Sequence, residues 1–243
     1  MDNSRAVFPP KENLLGDDFL LGFRDSLPLM LGVMPFGITC GIMGLAAGLS
    51  SAETLFMSLL VFAGASQFVS ITMLADGVTG WGIIGLTTLL INLRHLLMGA
   101  SLAPYMTRLP IGMQALLAFG MADETYAMTV SRTQQAGYSP GYQLGTNSAL
   151  YSIWALSTAA GTILGGYIEN PLTWGFDFAM PATFLALLIP RLVNRTSLLV
   201  FAVSMVVAVL GAVFLPGKWY IIIACLAASL VGGLLEGGNT NEN

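Results

Sequence analysis

The sequence predicts an all-α, polytopic membrane protein, a bundle of about eight transmembrane helices arranged in two repeat-like halves. Composition gives the first reason: 55% of the 243 residues are hydrophobic and 9% charged, with a mean hydropathy of +0.76, whereas a soluble domain carries about 25% charged residues. Segmentation gives the second. Apolar stretches near the roughly 20 residues that span hydrocarbon alternate with turn-forming interruptions such as Asp76-Gly77, Pro104 to Pro110, Asn170-Pro171 and Pro216-Gly217. The third is the run Ile91-Asn92-Leu93-Arg94-His95-Leu96-Leu97-Met98, which places the single histidine of the chain beside an arginine in the middle of such a stretch. A fixed charge at bilayer depth costs on the order of 2.5–3.5 kcal/mol on insertion scales, so it belongs in a bundle interior or a watered cavity.

Residues 1–22 read as a polar cytoplasmic tail, with Pro9-Pro10 and Asp17-Asp18 but without the basic start, apolar middle and small-residue cleavage site of a signal peptide. Residues 23–236 read as a single transmembrane transport domain, and 237–243 as a polar C-terminal tail. The expected spans lie near Asp25–Leu49, Thr54–Leu74, Trp81–Ala103, Met113–Val130, Gln143–Ile168, Leu172–Ile189, Ser197–Phe214 and Trp219–Leu235. In the first, Gly37, Gly41, Gly44 and Gly48 form one helical stripe, a packing face that lets backbones approach closely. Pro28 and Pro35 remove backbone donors and bend the same helix. Arg94 leaves the third span either continuous or broken. Gly161 and Gly165 repeat the small-residue spacing in the fifth. In the sixth, Phe178 to Leu187 aligns with Phe62 to Ile71 of the second, with three identities in ten, a weak internal repeat of the kind transporters use.

Basic residues orient the chain, because cytoplasmic loops near span ends are enriched in Lys and Arg. With the N-terminus inside, Arg5, Lys11, Arg24, Arg132, Arg191 and Arg195 are cytoplasmic, and Arg108 and Lys218 external. Cys40 and Cys225 lie in apolar runs without CxxC or Cys/His spacing, which points to packing rather than a disulfide or a metal. No metal site, cofactor or nucleic-acid partner is expected.

Polar residues inside the spans define the candidate site. Gln67, with Ser66 and Ser70, sits near the middle of the second span, where lipid satisfies none of its amide groups; a polar ligand or an interhelical hydrogen bond completes it. Arg94 either binds a carboxylate through its planar fork or forms an ion pair with Asp123 or Glu124. Asn92 can bond either end of a zwitterion, and His95 can gain or lose a proton near neutral pH. Asp123-Glu124 in the fourth span is the acidic pair available to carry a proton. The alternatives are a channel, against which the chain lacks rings of like charge and a carbonyl filter motif, and an intramembrane hydrolase built on His95 with Ser66, Ser101 or Asp123. The chain has neither a GxSxG elbow nor an HExxH helix, so an enzyme is not expected.

Read in order, Ser26-Leu27-Pro28, Phe62 to Phe68 as FAGASQF, Asn92 to Leu102 as NLRHLLMGASL, Ala118 to Ala127 as AFGMADETYA, and Tyr151-Ser152-Ile153-Trp154 resemble the AzlC family, the large subunit of branched-chain amino acid permeases. The resemblance implies a multi-pass protein of the bacterial inner membrane that exports branched-chain and similar apolar amino acids; the titratable groups at membrane depth, His95, Asp123 and Glu124, point to proton antiport as the drive. The resemblance also implies a small membrane subunit of the AzlD type as partner, and places Tyr151 and Trp154 at the substrate side chain.

Overall fold

The computed structural model describes residues 14–168, 192–215 and 219–237, with isolated positions between 178 and 189. Among these residues the fold is all-α: α1 (Leu14–Asp25), α2 (Leu27–Ala46), α3 (Ser51–Val61), α4 (Gly64–Ala75), α5 (Trp81–Met106), α6 (Ile111–Phe119), α7 (Asp123–Ala136), α8 (Pro140–Tyr167), α9 (Arg195–Phe214) and α10 (Trp219–Gly237). Three of them, α2, α5 and α9, are long and apolar enough to cross a membrane. The sixth expected span and the repeat at Phe178 to Leu187 lie largely outside the described residues.

Arg94 sits within an unbroken α5 of 26 residues. Among the described residues, the second and fourth expected spans are broken. The second becomes α3 and α4, separated at Phe62, a bulky residue held in the left-handed region (φ 45°, ψ 47°). That conformation costs an L-residue on the order of 1–2 kcal/mol, and such strain clusters at functional sites. The fourth becomes α6 and α7, separated by Gly120-Met121-Ala122.

Helix α8, 28 residues long, is the axis of the molecule. The pair α1–α2 runs parallel to it: a Cβ on Gly22 would strike the backbone of Tyr142 and Thr146, one on Gly41 the backbone of Thr158 and Thr162, and one on Gly165 would meet Ile42. Helix formation begins at Leu14, within the stretch read as a tail, and α1 packs on the first turns of α8. Pro28 falls in the first turn of α2, where its missing N–H is harmless, and the chain breaks at Ser26 just before it; Pro35 leaves α2 unbroken. Gly37, Gly41 and Gly44 form the packing face, against Ser157, Thr158 and Thr54 respectively. Gly48 does something else. At φ +89° it ends α2 in a Schellman turn, Leu49 N–H donating to Gly44 and Gly48 N–H to Leu45.

The interface tolerates no added atom at Gly41. We expect Gly41→Val to lower stability by about 1–3 kcal/mol through overpacking. Gly82→Ala, where a Cβ would meet open space in the first turn of α5, leaves it unchanged or slightly higher. Thermal unfolding of the two variants in detergent separates the outcomes.

Short links fix which helix ends share a face. The starts of α1, α5 and α8 and the ends of α4 and α7 lie on one face, the N-terminal face; the ends of α2, α5 and α8 and the starts of α3 and α6 lie on the opposite one. A capping box at Ser50 opens α3: Glu53 N–H donates to Ser50 Oγ at 3.2 Å and Ser50 N–H to Glu53 Oε2 at 2.8 Å. Helices α9 and α10 pair antiparallel, Gly211 against Tyr220 and Gly232 near Val200.

Candidate functional site

The two broken helices aim their inner ends at one place. Helices α4 and α7 begin inside the bundle at Gly64 and Asp123 and run outward to the N-terminal face. Each leaves unbonded N–H groups and about half a positive charge at its start. Ala63, Gly64 and Ala65 of one break and Ala122, Asp123 and Glu124 of the other line a common cavity with Arg94 and His95 of α5. Its remaining wall is apolar, formed by Val33, Phe36, Phe62, Phe68, Leu150 and Trp154. The space open to water centres is about 90 Å³, where one water needs roughly 10–15 Å³.

A wider vestibule of about 760 Å³ lies between this cavity and the N-terminal face, lined by Asp25 of α1, Arg132 and Gln135 of α7, and Tyr142 of α8. Asp123 and Glu124 line both spaces. The two acids therefore stand between the buried cavity and the open approach.

Arg94 Nη1 and Asp123 Oδ2 are 2.6 Å apart. This is the ion-pair reading of the arginine, with Asp123 as the partner. Arg94 Nε is buried without a hydrogen-bond partner among the described residues, and an unmet buried donor costs about 1–3 kcal/mol until an acceptor arrives. The pair thus leaves Arg94 with a donor to offer. Glu124, one residue on, has neither an ion pair nor a hydrogen bond among the described residues.

Both ends of the Gln67 amide are engaged by protein. Its Nε2 donates to Ser58 Oγ at 2.9 Å, its Oε1 accepts from Trp154 Nε1 at 3.2 Å, and Ser58 donates on to Thr158 at 3.2 Å. Gln67 is therefore an interhelical tie that orients the Trp154 indole, whose ring edge lies against Gly64. Asn92 Nδ2 donates to Ser66 Oγ at 3.2 Å, and Ser66 Oγ donates to the Ala63 carbonyl at 2.9 Å. Ser70 pairs with Thr88 at 3.3 Å, below the cavity wall. Tyr151 donates to the Leu59 carbonyl at 3.0 Å and its ring meets Phe62. Arg94, His95, Asp123, Glu124 and Trp154 line the cavity; Gln67, Ser66, Ser70, Asn92 and Tyr151 sit in the frame around it.

Sequence reasoning passed over Asn147. Its Nδ2 donates to the Leu117 carbonyl at 2.9 Å, satisfying a carbonyl that the end of α6 leaves without a helical donor, just as Tyr151 satisfies Leu59 at the end of α3. The signal was present as Gln143, Asn147, Tyr151 and Trp154, a polar and aromatic stripe on one face of α8. Val33 and Phe36 were also passed over, because apolar residues in a span carry no mark of facing a cavity.

Neither Ser66 nor Ser101 hydrogen-bonds His95; Ser101 Oγ lies 2.7 Å from the Tyr126 hydroxyl. No group of three or more His, Cys, Asp or Glu gathers to hold a metal among the described residues. The arrangement is that of a helical membrane transport protein, with discontinuous helices whose ends face a buried binding space.

Comparison with known proteins agrees. The profile described as AzlC protein matches residues 28–168, and the chain belongs to the AzlC family. It is 31% identical over 226 residues to the inner membrane protein YgaZ of Escherichia coli, covering 89% of this chain and 88% of the relative. It is 28% identical over 211 residues to the branched-chain amino acid transport protein AzlC of Bacillus subtilis, covering 86% and 82%. An uncharacterized membrane protein of Archaeoglobus fulgidus is 29% identical over 221 residues, covering 90% and 94%. No solved structure matches the chain.

Proposed function

We propose that this chain is the large subunit of a bacterial inner-membrane exporter of branched-chain and similar apolar amino acids, driven by proton antiport and working with a small AzlD-type membrane subunit. The carrying observation is the two-sided character of the cavity. One wall offers the Arg94 guanidinium and two half-helix N-termini, the environment a carboxylate needs. The facing wall of Val33, Phe36, Phe68, Leu150 and Trp154 suits an apolar side chain of a few carbons. Glu124, and Asp123 once it leaves Arg94, supply acceptors for the ammonium. The resemblance to the branched-chain amino acid transport protein of B. subtilis supports the substrate class.

The N-terminal face is cytoplasmic in this reading, from the placement of the basic residues. The vestibule then opens to the cytoplasm, where an exporter loads. Valine, isoleucine and methionine efflux from proteoliposomes containing the chain and its small partner, with and without a pH gradient, tests the proposal. Saturable, gradient-dependent efflux is expected. Non-saturating flux would indicate a channel, and the absence of any amino acid flux would end the reading.

Side-chain selection follows from the apolar wall. Phe36→Ala enlarges it, so we expect KM for methionine and phenylalanine to fall relative to that for valine by about tenfold, the worth of one to two methylenes. Competition assays with the three amino acids read the ratio.

A further inference from the structure

Tyr151 is where the two helix breaks meet. Its hydroxyl donates to the Leu59 carbonyl in the last turn of α3. Its ring lies 5.1 Å from that of Phe62, edge-on at 66°, and 6.0 Å from that of Phe119, the last residue of α6. Phe62 lines the cavity. Helices α3 and α6 are the halves that run from here to the opposite face, so the Phe62, Tyr151 and Phe119 rings meet on the side of the cavity away from the vestibule.

The two halves are held unequally. Helix α3 has a capping box, Thr54 packed under Gly44, and Ser58 tied to both Thr158 and Gln67. Helix α6 has nine residues, of which only Leu117 is buried, where it packs with Met98, Leu102 and Met106 of α5 and forms the pivot of the helix. Ile111 is 85% exposed, Leu116 50% and Phe119 46%. Its inner end touches α8 through the Asn147 hydrogen bond and the Phe119–Tyr151 ring contact. Few buried contacts mark the part of a fold that opens most readily.

We propose that α6 is the gate on the opposite face: Tyr151 is a fixed post anchored to α3, Phe119 is the plug that rests on it, and Asn147 is the tether that returns α6 to the closed position. Alternating access requires the cavity to open on this side while the vestibule side closes. Swinging the end of α6 does so by lifting Phe119 from Tyr151, without disturbing the Gln67–Trp154 tie. Tyr151 and Asn147 are thus positioning residues, acting on the cavity through the half-helices they hold. The proposal rests on the transport reading for its purpose, but its geometry concerns accessibility alone.

Thiol labelling tests it without any substrate. In a Cys225→Ser background, with Cys40 fully buried, Ala65→Cys places a thiol on the cavity wall. A membrane-impermeant maleimide is applied from each face, using right-side-out and inverted vesicles. We expect slow labelling from the opposite face, rising at least fivefold in Phe119→Ala and in Asn147→Ala, and less in Phe119→Leu. The rate from the N-terminal face falls or stays level in the same variants. Leu116→Ala, exposed on the same helix and away from Tyr151, leaves both rates at the starting values. Unchanged labelling from the opposite face in both Phe119→Ala and Asn147→Ala overturns the proposal, as does an equal rise in Leu116→Ala. Because amino acid flux plays no part, a chain that carries some other solute still passes or fails.

Discussion

Replacing Arg94 by alanine abolishes transport while the protein still inserts and reaches normal abundance. On the proposed transport reading, the substitution removes the group that would hold the substrate carboxylate, and it removes the ion-pair partner of Asp123. It also removes an insertion cost at membrane depth, so membrane targeting is not the casualty. The loss is expected to be at least 100-fold in uptake into inverted vesicles, or about 2.7 kcal/mol of transition-state binding. Arg94→Lys recovers a fraction of it, because an ammonium holds Asp123 as a point charge but lacks the fork that engages a second acceptor. Near-normal flux in the alanine variant at matched abundance removes Arg94 from the site.

The carboxylates separate by what each does in this structure. Asp123 is committed to Arg94 at 2.6 Å, whereas Glu124 lines both the cavity and the vestibule with no hydrogen-bond or ion-pair partner among the described residues. Glu124→Gln is therefore expected to abolish efflux driven by a pH gradient while leaving exchange of amino acid for amino acid measurable. Its shape is kept and its titration lost. Asp123→Asn is expected to lower both, since it loosens the guanidinium that the proposed function assigns to the carboxylate. Gradient-driven accumulation that survives in both variants and fails in His95→Gln assigns the proton to the histidine, and survival in all three ends proton antiport for this chain.

Much of the site could be read from the chain because charge in hydrocarbon demands a partner. Arg94 and the Asp123-Glu124 pair were identifiable as facing groups before any coordinates, and the ion pair between them is what solvation physics requires. Composition and periodicity gave the helical bundle for the same reason. The breaks were not legible. Hydropathy averages over about 20 residues, so it runs straight through Phe62-Ala63-Gly64 and Phe119-Gly120-Met121, where two or three residues change direction. Alanine and glycine at those points read equally well as a packing stripe, and the arginine drew attention to the wrong helix as the broken one. Gln67 shows a second limit: an amide at mid-membrane must be satisfied, but whether Trp154 and Ser58 or a ligand satisfies it depends on which helix lies alongside, a tertiary fact no local spacing encodes.

The α9–α10 hairpin, which lines neither cavity and whose α9 has no buried residue among those described, stands under a looser physical constraint than the rest of the chain. For α9, the requirement is to match the thickness of the hydrocarbon and present an oily exterior, so its sum of transfer energies matters more than the identity of any one side chain. Leucine, valine, isoleucine and phenylalanine are close to interchangeable there. Residues 14–168 hold both cavities and the two helix breaks, and the stretch that matches the family profile, 28–168, ends with them. The described residues thus set a machine specified atom by atom beside a helix, α9, whose exposed side chains are specified by bulk solubility in lipid, and these can be retuned to a membrane of different thickness without disturbing the machine.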